Sequence, residues 1–268
     1  MKRYIPLTGL ALLVCTLAPA QEVTGERIVV PARNTIRPRV VNVNTAQGSI
    51  TVKAYNGKEV IVENRSEGNS RRERERSDGL RRIDLPPRGL YVEEEDNVVQ
   101  VRSSGPNSGH IVISVPTDTS LHLRSAQGDI TVEGVHGEVE ANSANGVVRL
   151  TAISGTVVAS SSNGEIKVVM DKVDAGKPLS FSSNNGDVDV TLPADLKANV
   201  KLRSLHGSVW SDFDVKLTTG QPVTTTAGTT EGGKFKVQFD RTIFGTINGG
   251  GTEASFNTLN GKILIRKK

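Results

Sequence analysis

From residue 121 to residue 168, aliphatic side chains return at every second position in short runs, and a polar stretch ending in glycine separates each run from the next. "LHLRSAQGDITV" (121–132), "VEANSANGVVRL" (139–150) and "VVASSSNGEIKV" (157–168) begin eighteen residues apart. Alternation at period two sends successive side chains to opposite faces of an extended strand, so each run predicts a strand with one buried face. Helical spacing is absent, and a fixed period of about eighteen residues is the mark of a repeat architecture.

Aligned on glycine, seven segments share [ST]-x-[NQH]-G-x-[IV]-x-[VLIS]: "TAQGSITV", "SAQGDITV", "SANGVVRL", "SSNGEIKV", "SNNGDVDV", "SLHGSVWS" and "TLNGKILI". Their glycines, Gly48, Gly128, Gly146, Gly164, Gly186, Gly207 and Gly261, are expected to be structural turn residues. Glycine takes positive φ without steric cost, and asparagine tolerates it better than most residues. A weaker half-repeat places Gly137 and Gly155 nine residues after a strong glycine, which gives two strands and two turns per coil.

The pattern predicts an all-β fold, a single-chain parallel β-solenoid (β-helix-like) with about 18–22 residues per coil. Ile130, Val148, Ile166, Val188 and Val209 should form one inward column, and the Asn and Gln amides an internal ladder. A β-sandwich also uses short strands and regular turns, but does not account for the same turn chemistry at a fixed period.

Alternation also assigns the other face. Thr131, Arg149, Lys167, Asp189 and Trp210 should point outward from successive coils, as a candidate ligand-binding column. Trp210 is the only tryptophan, and either presents an aromatic surface to a sugar or protein or is covered by the loop 212–234.

Two longer units, "VPTDTSLHLRSAQG" (115–128) and "LPADLKANVKLRSLHG" (192–207), insert Pro and Asp between strands. Proline cannot donate to a ladder, so Pro116 and Pro193 should end strands. Residues 65–88 lack apolar periodicity and carry Arg71, Arg72, Arg74, Arg76, Arg81 and Arg82 among acidic side chains. This tract reads as a mobile loop with a strand on either side; it is either an anionic-surface binder or a solvated loop neutralised by its own glutamates. The terminal "RKK" should guard the exposed edge of the last coil.

At the N-terminus, Lys2 and Arg3 precede a short apolar run and Ala18-Pro19-Ala20, which predicts a signal peptide over 1–20. The expected organisation is then an N-terminal β region over 21–116, continuous with a repeat region over 117–268. Loss of Lys2, Arg3 and Cys15 leaves 31 basic and 29 acidic side chains, and no cysteine for a disulfide. Near-neutral charge argues for no partner class, so no nucleic acid is expected as a partner, and no later apolar run is long enough for a transmembrane segment. The expected location is outside the cytoplasm: periplasm, cell envelope or secreted.

Catalytic motifs are missing from the sequence: there is no H-E-x-x-H, Walker loop or G-x-S-x-G. His110, His122, His136 and His206 are scattered, and His136 and His206 stand in turn positions, so neither a metal nor a cofactor is expected. "NGGGT" (248–252) reads as a tight turn.

Together the S-x-N-G-D/E-[IV]-x-V coils, "VPTDTSLHLRSAQGDITVEGVHGEVEANSANGVVRL" and "TLNGKILI" resemble the bacterial putative-adhesin family, β-strand-repeat cell-envelope domains of unknown function. The resemblance spans roughly residues 40–268 and implies a β-solenoid on an exported protein, with adhesion proposed for the family and no catalytic residues to carry over. The expected function is non-enzymatic: adhesin-like binding of an envelope or surface glycan, lipid headgroup or protein, or an envelope scaffold. The alternative is a glycan-processing β-helix enzyme.

Overall fold

The computed structural model describes residues 26–33, 37–65, 90–103, 109–218, 228–230, 234–236 and 242–268. The leader, and the arginines of 65–88 from Arg71 to Arg82, lie outside the described residues. Among those described, the fold is all-β, without a helix.

Each repeat forms one coil: a front strand, the glycine turn, and a back strand. The Gly128 coil runs Thr119–Gln127 then Ile130–Glu133, and the Gly146 coil runs His136–Asn145 then the start of Val148–Asn163. That last strand is continuous through the second corner, where Ala152 adopts φ 54° and the register shifts, so its far half is the front of the Gly164 coil. Neighbouring coils pair in parallel at equivalent positions: Val148 with Ile130 and Ile166, Ala141 with Leu123 and Ala159. Front and back stacks share one apolar core. The predicted inward residues Ile130, Val148, Ile166 and Val188 are fully buried, whereas Val209 is only half-buried.

The coils do not stack in chain order. Along the front stack, Val98–Ser103 pairs with Arg39–Thr45, which in turn pairs with Thr119–Gln127. The Gly48 coil therefore lies between two coils that follow it in sequence. The other end repeats the device: Leu179–Asn185 pairs with Thr252–Asn260, and Thr252–Asn260 with Ala198–Ser204. The chain's last coil is thus wedged between the Gly186 and Gly207 coils.

This order explains the two Pro-Asp units. The link after His110–Pro116 and the link between Val188–Leu192 and Ala198–Ser204 each step past an intervening coil, about 9.6 Å rather than 4.8 Å. "NGGGT" serves the same insertion. It joins Thr242–Ile247 to Thr252–Asn260 across the end of Ala198–Ser204, which pairs with both. A Cβ on Gly251 would lie 2.6 Å from the Lys197 carbonyl oxygen, and Asn248 Nδ2 donates to the Leu196 carbonyl at 2.8 Å.

The two strands expected on either side of 65–88 both form, but in different stacks: Val60–Arg65 lies antiparallel to His110–Pro116 in the back stack, and Leu90–Glu95 antiparallel to Val98–Ser103 in the front. Two expectations are corrected. The C-terminal basic residues do not guard an edge, because their coil is interior; Arg266 and Lys268 instead reach Asp189 and Asp171. The amide ladder is external. Asn163 donates to Asn145, Asn185 to Asn163 and Asn260 to Asn185 at 2.8–2.9 Å, all from exposed corner positions.

The buried ladder is made instead by the Ser or Thr two residues earlier, whose hydroxyl bonds the turn-glycine carbonyl of the adjacent coil. Ser143 bonds Gly128, Ser161 bonds Gly146, Ser183 bonds Gly164 and Thr258 bonds Gly186, at 2.9–3.1 Å.

Candidate functional site

Three outward features of this stack carry unsatisfied or clustered chemistry. The first is the sequence-predicted column on the back face. Register aligns Thr51, Thr131, Arg149, Lys167, Asp189, Leu264 and Trp210 in that order, because the wedged coil places Leu264 before Trp210. Thr131 is half-buried, and Arg149 and Lys167 are exposed. Among the described residues neither of these two cations has a hydrogen bond or ion pair. Trp210 is 63% exposed, and most of the loop 212–234 that the covered reading would lay over it lies outside the described residues.

Asp189 departs from expectation. It is buried beneath Arg266, whose Nε donates to Oδ1 at 2.7 Å. The carboxylate raises the Arg266 guanidinium further above its ordinary value, first through this hydrogen bond and then through its charge. Asp189 is therefore a structural partner of the last coil rather than a free member of the column.

The second feature, on the front face, was not singled out from sequence. Glu140 accepts from His122 Nδ1 at 2.9 Å, Asn142 Nδ2 at 2.7 Å and Arg124 Nη2 at 3.4 Å. The His122 bond leads the effects that hold the Glu140 carboxyl below the usual carboxylate range; burial opposes them. Three donors from two coils thus fix one anion. The signal was present in the repeat spacing, since His122 and Glu140 are eighteen residues apart, but their polar alternation looked like ordinary solvated face.

The third is a groove of about 350 Å³ on the front face near the wedged coil. One wall carries Ser255, Lys201 and Phe244, and the other Glu253, Asn199 and Thr246, with strand backbone between them. Ser255 and Glu253 come from the wedged coil and Lys201 and Asn199 from its neighbour, so the site exists only because of the coil order. Lys201 Nζ lies 5.9 Å from the Phe244 ring centroid. Residues 201, 253 and 244 lie on three separate chain segments, which is why sequence reading could not assemble them.

Elsewhere the histidines make structural bonds: His110 Nε2 with Thr51 Oγ1 at 3.0 Å, and His206 Nδ1 with Asn260 Oδ1 at 2.9 Å, where it ends the amide ladder. Among the described residues no three His, Cys, Asp or Glu side chains converge as metal ligands.

A family model matches residues 34–243, most of the coil stack. The chain belongs to the Toastrack DUF4097 family. This family match agrees with the resemblance carried by the repeat motifs. Two solved structures are similar to the Toastrack chain across nearly their full lengths. One is described as a "putative cell adhesion protein" from Clostridium sporogenes, 12% identical, covering 91% of this chain and 99% of that one with a TM-score of 0.44. The other is a "putative adhesin" from Bacteroides fragilis, also 12% identical, covering 93% and 99% with a TM-score of 0.35. No curated protein matches.

Proposed function

We propose that this Toastrack chain is an exported cell-envelope protein whose coil stack is a parallel β-solenoid, and that it works by non-enzymatic, adhesin-like binding. The observation that carries this reading is the back-face column, which presents one side chain per coil in a straight line. A surface repeating about every 4.8 Å presents a regular array to an extended partner. Arg149 and Lys167 stand on adjacent coils without protein partners among the described residues, which suits anionic groups on an envelope or surface glycan or on lipid headgroups.

The expected result is retention of the exported chain on at least one of a panel of envelope polysaccharides, lipopolysaccharide, anionic vesicles and matrix proteins, without release of new sugar ends. Replacing Arg149 and Lys167 together by serine should weaken that retention about tenfold at low salt. Release of new reducing ends would favour the glycan-processing reading and direct attention to Glu140, the carboxylate held ionised beside His122.

A further inference from the structure

The groove beside the wedged coil has a composition that the back-face column lacks. Lys201 and Glu253 stand on opposite walls, and neither has an ion-pair partner among the described residues. The two belong to register pairs two residues apart, Lys201 opposite Ser255 and Asn199 opposite Glu253, with Val200 opposite Ala254 between them. Phe244 is half-buried at the end of the first wall, and Thr218, just past Val215–Leu217, lines the same end with its amide donating to the Phe244 carbonyl at 2.9 Å.

Consider what fits between them. A ligand carrying one sign of charge meets one attractive and one repulsive residue. An apolar ligand strips water from both charges and returns no hydrogen bond, which costs free energy at each. A hydroxyl can accept from the Lys201 ammonium and another can donate to the Glu253 carboxylate, so a polyhydroxyl ring satisfies both. The apolar C–H face of such a ring also suits the half-buried Phe244, while the Asn199 and Ser255 side chains add polar groups on either side. A volume of about 350 Å³ is at the small end for ligand pockets, which run from about 300 to 1,000 Å³, and fits one or two sugar rings rather than a polymer.

We propose that this groove is a saccharide-binding subsite, which takes a terminal mono- or disaccharide unit with Phe244 as its stacking surface and Lys201 and Glu253 as its hydrogen-bonding poles. This rests on the binding function proposed above and assigns that function's sugar-reading element to the front face. The wedged coil supplies one pole and the coil it displaces supplies the other.

The test is saturation-transfer NMR on the exported chain, with methyl glycosides of glucose, galactose, mannose and N-acetylglucosamine, their disaccharides, and alanyl-alanine as a zwitterionic probe. Saturable transfer to one of the sugars is expected. Phe244→Ala should weaken it about tenfold, and Ser255→Trp, which fills the groove while keeping the ring, should do the same if Phe244→Ala fails to fold. Tyr91→Ala, at an exposed aromatic on Leu90–Glu95 at the other end of the stack, should leave it within about twofold. Transfer to alanyl-alanine alone, or sugar binding that survives both groove variants, overturns the saccharide subsite. Polymer retention that depends on Arg149 and Lys167 with no glycoside binding overturns the subsite and leaves the binding function standing; loss of retention on every surface overturns that function itself.

Discussion

At the residue scale the repeat motif is explained by contacts between coils more than by conformation within a turn. Gly48 and Gly128 have positive φ, but Gly146, Gly164, Gly186, Gly207 and Gly261 do not. Their glycine identity follows from close approach: a Cβ on Gly146 would lie 2.2 Å from the Gly128 carbonyl oxygen, which is fixed backbone. Gly146→Ala should therefore cost about 3 kcal/mol, read as a lower urea midpoint with the slope unchanged. The sequence pattern thus marked the right residues while conformational preference supplied only part of the reason. The same holds for the neighbouring asparagines, whose amides bond coil to coil at an exposed corner, and for the serines, whose hydroxyls do so inside. A repeat shows which positions are equivalent, but its side-chain partners appear only when the coils are brought together.

Glu140 yields a residue-scale expectation in pH. Its folded carboxyl is held low by the His122, Asn142 and Arg124 hydrogen bonds, so it contributes stability that is fully present above the ordinary carboxylate range and is lost as pH falls through the lowered value. Glu140→Gln should flatten the acid limb of the stability profile and leave the neutral-to-alkaline limb in place, as measured by urea unfolding from pH 2 to 8. An unchanged acid limb would show that the contacts of Glu140 do not distinguish the folded from the unfolded chain.

At the element scale, chain position and stack position part company. Thr252–Asn260 lies near the C-terminus, yet it is hydrogen-bonded on both sides. Val209–Ser211, which starts 43 residues earlier, pairs among the described residues on one side only, with Ile263–Lys267. Hydrogen exchange should find the amides of Thr252–Asn260 as protected as those of the central coils, and those of Val209–Ser211 among the fastest of the repeat strands. A fraying C-terminal coil would contradict the pairing. Strands, turns and inward faces were legible from alternation because each is set within about ten residues. Coil order was not, because a 54-residue interval between Gly207 and Gly261 is compatible with either stacking order. In retrospect the two Pro-Asp units were a visible clue, since both lie at links that step past an inserted coil.

At the scale of the whole molecule, wedging a coil at each end does two things. It ties distant parts of the chain together, with Lys268 Nζ reaching Asp171 at 2.6 Å and the Phe256 ring stacked on Phe181 at 5.2 Å between centroids. It also assembles the front-face groove from segments that sequence reading kept apart. The back-face column, by contrast, was legible because every copy of the motif contributes the same position; only Asp189 was misjudged, since its partner Arg266 arrives with the wedged coil. The front-face groove is thus a product of coil order, and coil order is the claim to test first. With Cys15, the single cysteine of the sequence, replaced by serine, pairs of introduced cysteines report on proximity without interference. Ser182 is in register with Asn257, and Asn257 with Arg203, which places Ser182 and Arg203 two strands, about 9.6 Å, apart. A disulfide bridges Cα atoms no more than about 7 Å apart. Oxidation of the Ser182→Cys, Asn257→Cys protein should give a rapid intramolecular bond, and the Ser182→Cys, Arg203→Cys protein should give none; the reverse result would mean that the coils stack in chain order and that the groove does not exist.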